Sequence, residues 1–293
     1  MERKTLYTGI SYFLILSLLF FVFMFWTTGA GTGKPAEWMN SAENKIAIVR
    51  IEGVIIGSEE ITEILARSSE DDQIKAILLR IDSPGGAVVP SQEIYDAVRK
   101  IKTTSKKKVV TSMGTVAASG GYYIAAASDY IMANPGTLTG SMGVIMEMAN
   151  FEGLLQKVGV ESVTIKSGAN KDAGSPFRKM TAEERLLFQT VLDDVHDQFM
   201  TAVSEGRSIS MEKVKPLADG RIFTGRQAQK EGLVDGLGNM EDAIAKTASM
   251  AGIVGKPQLV ETQKGVSIYK MLQGKLQGAG YFPSMRLNAI LSY

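Results

Sequence analysis

The sequence predicts an α/β fold of parallel strands joined by right-handed helical crossovers, preceded by one membrane-spanning helix. Three observations carry that expectation. Residues 6–26 hold no charged side chain and are dominated by Leu, Ile, Phe and Val. Beyond residue 45, short apolar runs alternate with amphipathic stretches of helical spacing. One of those runs, IKAILLRI at 74–81, is apolar enough to be buried on both faces of a sheet.

The elements follow in chain order. At about 1.5 Å per residue, 6–26 forms a helix of about 30 Å, the thickness of one hydrocarbon core. A cleavable signal has a shorter apolar stretch of about 7–15 residues, so length favours an anchor, although Gly29-Ala30-Gly31 leaves cleavage open. Arg3 and Lys4 precede the segment, which places the N-terminus in the cytoplasm and the bulk of the chain outside a single-pass inner membrane. The division expected is an anchor with its stub at 1–27, a Gly- and Thr-rich linker at 28–44, one domain at 45–255 and a tail at 256–293. Within the domain the pattern predicts strands at 46–51, 74–81, 108–113 and 130–133. Helices are expected at 59–69, 91–102 and 117–128. Thr181 and Glu184 form a capping box that opens a long helix with Leu187, Val191, Val195 and Phe199 at every fourth position. Residues 219–238 read as turn, short strand and helix.

Composition narrows the chemistry. The 293 residues carry 32 basic and 31 acidic side chains, a net charge of +1 that gives no reason to expect nucleic acid as a partner. The lysines at 106–108 read as a solvated loop before a buried strand. There is no cysteine, which excludes disulfides, thiolate metal sites and a cysteine nucleophile. His196 is the one histidine, and it falls inside the long helix, where a half-exposed structural role is the simpler reading.

Two loops could do chemistry. In GTVAASGGYY at 114–123 a strand ends and Ser119, flanked by Ala and Gly, opens a helix in the manner of a nucleophile elbow. Taken alone, a small-residue helix start is more often tight packing. The second loop, Asp82-Ser83-Pro84-Gly85-Gly86, follows a buried strand, and its glycines let the backbone approach a ligand closely. Each loop lies at the carboxyl end of a parallel strand, so Gly86 and Gly120 could offer N–H groups to one oxygen. Tyr122 and Tyr123 would then either wall a cleft or pack in the core.

RIDSPGG, GTVAASGGYYIAAASDYIMANPGTLTGSMGVI, IKSGANKDAGSPFRKMT and DGRIFTGRQAQKEGLVDGLG, in this order over roughly 45–250, resemble the short bacterial signal peptide peptidase A family of the Clp protease/crotonase superfamily. The resemblance implies a spiral of βαβ units and a membrane-bound serine endopeptidase that degrades residual signal peptides. It places the nucleophile on Ser119, the general-base lysine on Lys171, the serine that orients the amine on Ser141, and the oxyanion donors on the N–H groups of Gly86 and Gly120. Without it, Lys157, Lys166 and Lys179 would be equal candidates for the base. It further implies a homo-oligomeric ring, expected to be octameric, in which serine and lysine meet across a subunit boundary, with no cofactor or metal. A lysine can accept the serine proton only as a neutral amine, so a catalytic lysine must be moved down from an ordinary value of about 10.4. The related Clp protease subunit uses Ser–His–Asp instead, and where its histidine would fall this chain has Val144. Two rival readings share the fold: an acyl-CoA enzyme that holds a thioester enolate, and an inactive membrane scaffold. The anchor and the lack of a carboxylate beside Ser119 speak against the first.

Overall fold

The computed structural model describes residues 44–105 and 107–261. The expected anchor at 6–26, all but the last residue of the expected linker, and residues 262–293 of the expected tail lie outside the described residues. Among the described residues no helix is long and apolar enough to cross a membrane.

Strand β1 (Lys45–Glu52), helix α1 (Glu59–Glu70), β2 (Ile74–Ser83), α2 (Val88–Thr104) and β3 (Lys108–Ala118) make two successive βαβ units. The strands pair in parallel, β1 with β2 and β2 with β3. A parallel pair cannot be closed by a tight turn, which is why each return runs through a helix. Side chains alternate across the sheet. Ala47, Val49, Ile51, Ile77, Leu79 and Ile81 join one core with residues of α1 and α2. Ile46, Ile48, Leu78 and Val110 form a second core closed by Ala243 and Ala248 of α8 (Met240–Met250). The double-sided burial read from IKAILLRI is therefore present.

Strand β3 shapes the rest. Its first half pairs with β4 (Tyr130–Ala133) and its second half with β5 (Leu138–Gly140), so the sheet forks. The strand runs to Ala118 rather than stopping near Met113, and the helix expected from Ala117 begins only at Gly120, as α3 (Gly120–Ala126). Side chains hold the extension in place. Asp82 Oδ1 accepts the Val116 N–H at 3.0 Å. Thr137 Oγ1 donates to Gly114 O at 2.7 Å, and Thr139 Oγ1 donates to Ala117 O at 2.6 Å.

Beyond β5 come α4 (Glu152–Lys157), α5 (Ala182–Arg207), α6 (Met211–Val214), β6 (Ile222–Thr224), α7 (Gly225–Lys230) and β7 (Gly236–Leu237). β6 pairs antiparallel with β5, and β7 parallel with β4. Helix α5 opens with the capping box read from the sequence. Its apolar stripe is covered only at the carboxyl half. Phe199 is fully buried, whereas Leu187 and Val191 are exposed. A last strand, β8 (Gln258–Glu261), pairs with β1, inside the segment expected to be tail.

Candidate active site

Ser119 is the residue between β3 and α3, and its backbone is the most unusual point of the site. It has φ 55° and ψ −123°, a positive φ that L residues rarely adopt, at a typical cost of about 1–3 kcal/mol. The chain needs that conformation to turn from strand to helix within one residue. Hydrogen bonds fix it from both sides: Ser119 N–H donates to Gly140 O at 2.8 Å, and Tyr123 N–H donates to Ser119 O at 2.9 Å. The residue is 5% exposed.

Gly86 stands beside this turn. Ile55 N–H donates to Gly85 O at 2.9 Å and Ala87 N–H donates to Ile55 O at 2.8 Å, which sews the loop to the segment after β1. A Cβ on Gly86 would fall 2.1 Å from Ile55 O and 2.6 Å from Ile55 N, so only glycine fits. A Cβ on Gly120 would lie 2.4 Å from Ser91 Oγ and 3.4 Å from Gly86 N, which shows how closely the two loops approach. Among the described residues neither the Gly86 N–H nor the Gly120 N–H donates a hydrogen bond. Two unengaged N–H groups beside a serine hydroxyl can stabilise an oxygen that gains negative charge.

Ser141 follows the carbonyl that holds Ser119. It too has a positive φ, 52°, and its N–H donates to Arg221 O at 2.8 Å. Four of the five expected site residues are thus gathered around the end of β3. Among the described residues Lys171 makes no hydrogen bond with any of them. It lies in the irregular segment between α4 and α5, with its N–H on Gly168 O at 3.1 Å and its side chain exposed. Among the described residues no hydrogen bond joins Lys171 to Ser119 within one chain.

The tyrosines after the serine pack in the core, and Tyr123 also borders a cleft of about 530 Å³ between α2 and α5. Tyr122 is fully buried, and its hydroxyl donates to Leu233 O at 2.9 Å. Burial pushes that phenol well above its ordinary range. Tyr123 packs on Tyr95 and Phe199, with ring centroids 4.8 and 5.0 Å away. His196 sits on α5, where its buried Nε2 has no hydrogen-bond partner among the described residues. No group of His, Asp and Glu suited to a metal ion occurs among the described residues.

Sequence reasoning missed two features. One is a cleft of about 390 Å³ beside Ile55, lined by Ile51, Val54, Ile61 and Ile64 together with Arg50 and Glu52. The isoleucine-rich run at 51–56 was its only signal. The other is Arg178, in the quoted FRKMT segment, whose guanidinium bonds both Asp172 and Glu184.

Comparison with known proteins gives the family of the chain. The sequence model of peptidase family S49 matches residues 101–254, and that of Clp protease matches residues 45–148. A candidate protease of Synechocystis sp. is 47% identical over 73% of this chain and 76% of its own length. A candidate signal peptide peptidase SppA of Enterococcus faecium is 45% identical over 61% of this chain and 52% of its own. Protease 4 of Haemophilus influenzae is 36% identical over 71% of this chain, which spans about a third (35%) of that relative. With its Clp protease-like α/β body and matches of this extent, the chain belongs to peptidase family S49 and is a protease of the SppA type.

Proposed function

We propose that the chain is a serine endopeptidase in which Ser119 is the nucleophile and Lys171, supplied by a neighbouring copy, is the general base. The observation that carries this reading is the strained turn at Ser119, set between the unengaged N–H groups of Gly86 and Gly120. In the first step Ser119 Oγ attacks the substrate carbonyl carbon while its proton passes to the neutral lysine amine. The carbonyl oxygen becomes an oxyanion beside the two glycine N–H groups, each of which typically contributes about 2.7–4 kcal/mol of barrier lowering. Collapse expels the amine, which takes the proton back from the lysine and leaves an acyl ester on Ser119. Water, deprotonated by the same lysine, then releases the acid and restores both groups. Ser141, next to the carbonyl that holds Ser119, orients the amine without adding charge.

Supply of the lysine from another copy fits its position on an exposed segment. That region also presents apolar side chains to solvent, Leu154, Val158, Val160, Val163 and Ile165 among them, with Ile165 95% exposed. Such a surface supports the ring of copies, octameric in the family resemblance, as the working state. Substrates are extended apolar peptides, residual signal peptides first. The cleft beside Ile55 supports that class, and so does Ile56, 85% exposed at the same edge. The uncharged stretch at 6–26 supports a single-pass anchor with the N-terminus in the cytoplasm and the domain outside it.

The test is covalent labelling of the full chain with a fluorophosphonate probe, read beside cleavage of an apolar fluorogenic peptide. Wild type is labelled and active, and Ser119→Ala loses both. Labelling that persists in Ser119→Ala would remove Ser119 as the nucleophile.

A further inference from the structure

We propose that Arg178 is the positioning residue of the lysine, a clamp that ties the loop carrying Lys171 to the first turn of α5. The inference rests on the reading of Lys171 as the base.

Asp172, the residue bonded to Lys171 on its carboxyl side, is held by both its side chain and its carbonyl. Arg178 Nε donates to Asp172 Oδ2 at 2.9 Å, and Arg178 Nη2 donates to the Asp172 carbonyl at 3.0 Å. With its other edge the same guanidinium grips Glu184: Nη1 donates to Oε2 at 2.9 Å, and Nη2 donates to Oε1. Glu184 is a fixed anchor, since it is buried and its carboxylate also accepts the Thr181 N–H at 3.0 Å in the capping box. The remaining Asp172 oxygen is taken by Lys166 Nζ at 2.5 Å, and that amine also donates to Ala169 O at 2.8 Å, closing the loop on itself.

The rest of the loop is fastened through its backbone. Asn150 Nδ2 donates to Arg178 O at 2.8 Å, and Phe151 N–H donates to Pro176 O at 2.6 Å. By contrast, residues 159–171 form no helix or strand and are exposed throughout. Lys171, its own N–H on Gly168 O, therefore leads directly into the pinned stretch, and the direction in which its side chain leaves the loop is set by what holds Asp172.

The clamp also settles the charge beside the amine. Asp172 and Glu184 are matched by Lys166 and Arg178, so the carboxylate adjoining Lys171 is already engaged. A base that must work as a neutral amine gains from that arrangement, because a free carboxylate beside it would favour the ammonium form. Arginine suits the role because its planar fork meets two carboxylates at once, which a lysine at this position would not do.

The experiment measures kcat and KM of the assembled full chain on an apolar peptide for wild type, Arg178→Met, Arg178→Lys and Lys171→Ala, with thermal transitions alongside. Misplacement of a catalytic group by about 1 Å can cost on the order of 100-fold, so Arg178→Met should lose kcat on that scale with KM nearly unchanged. Millimolar guanidinium should restore part of the kcat of Arg178→Met and none of that of Lys171→Ala. Arg178→Lys should lie between wild type and Arg178→Met. Wild-type kcat in Arg178→Met beside an inactive Lys171→Ala would overturn the clamp and leave the lysine reading standing. A loss in Arg178→Met that guanidinium does not repair, with a lowered thermal transition, would reduce Arg178 to a structural residue and overturn the proposal. Full activity in Lys171→Ala would overturn the lysine reading, and the clamp with it.

Discussion

At the scale of single residues, the site is bought with backbone strain. Ser119 holds φ 55°, and Ser141, next to the carbonyl that receives the Ser119 N–H, holds φ 52°. Alanine at 119 removes the hydroxyl and keeps the strain, whereas glycine removes both. Relief of about 1–3 kcal/mol, less about 0.5–1 kcal/mol for the greater freedom of glycine in the unfolded chain, leaves a net gain on the order of 1 kcal/mol. Ser119→Gly should therefore melt about 2–4 °C above Ser119→Ala while both are inactive, as calorimetry can show. Equal transitions would mean that the turn is not strained in solution. The loops at Ser119 and Gly86 were visible as small-residue turns after apolar runs, but such a helix start is more often tight packing, and only the resemblance singled out the hydroxyl. The tyrosines that follow were not legible, since nothing in GGYY tells that the rings turn, as here, onto Phe199 and Leu233. The choice of Lys171 rests on resemblance alone, because four lysines share its stretch of chain and nothing in their spacing sets one apart.

Among the elements, the loop between α4 and α5 is tied by ion pairs, whereas the long parallel strands are held by apolar burial on both faces. Arg178 first, then Lys166, hold the Asp172 carboxyl well below the usual range. Arg178, then the Thr181 N–H, hold Glu184 below its own. Groups with lowered native values contribute stability that is complete above their unfolded values, about 4, and that fades as pH falls through the native ones. The clamp should therefore stay closed across the neutral and mildly acidic range. Hydrogen exchange in 166–181, corrected for the intrinsic rate, should be flat from about pH 8 to about pH 5 and should rise only below about pH 4. A rise between pH 7 and pH 5 would contradict the clamp. Element by element, the long apolar strands were plain in the sequence, while two kinds of feature were hidden. β5 is three residues, Leu138–Gly140, too short to show a period, and its place is set by Thr137 and Thr139 bonding to β3. The stripe on α5 was visible as a period of four, but periodicity reports only that an apolar face exists, not how much of it is covered. Leu187 and Val191 remain exposed while Phe199 is fully buried.

At the scale of the molecule, the expected site residues fall on two parts, the end of β3 and the loop between α4 and α5. Two βαβ units and the forked end of β3 bring Gly86, Ser119, Gly120 and Ser141 together from three separate stretches of chain. Lys171, the fifth expected residue, lies on a segment rich in exposed apolar side chains, and among the described residues no hydrogen bond brings it to Ser119 within one copy. On the proposed reading, assembly completes the site and confines hydrolysis to the ring. The most direct measurement mixes unfolded Ser119→Ala and Lys171→Ala chains, refolds them together and follows cleavage of an apolar peptide. Each variant alone is inactive. The mixture should recover up to about a quarter of wild-type turnover, since random assembly places an intact serine beside an intact lysine at about one site in four. Refolded mixed rings of full size that stay inert would contradict a serine and a lysine drawn from different copies.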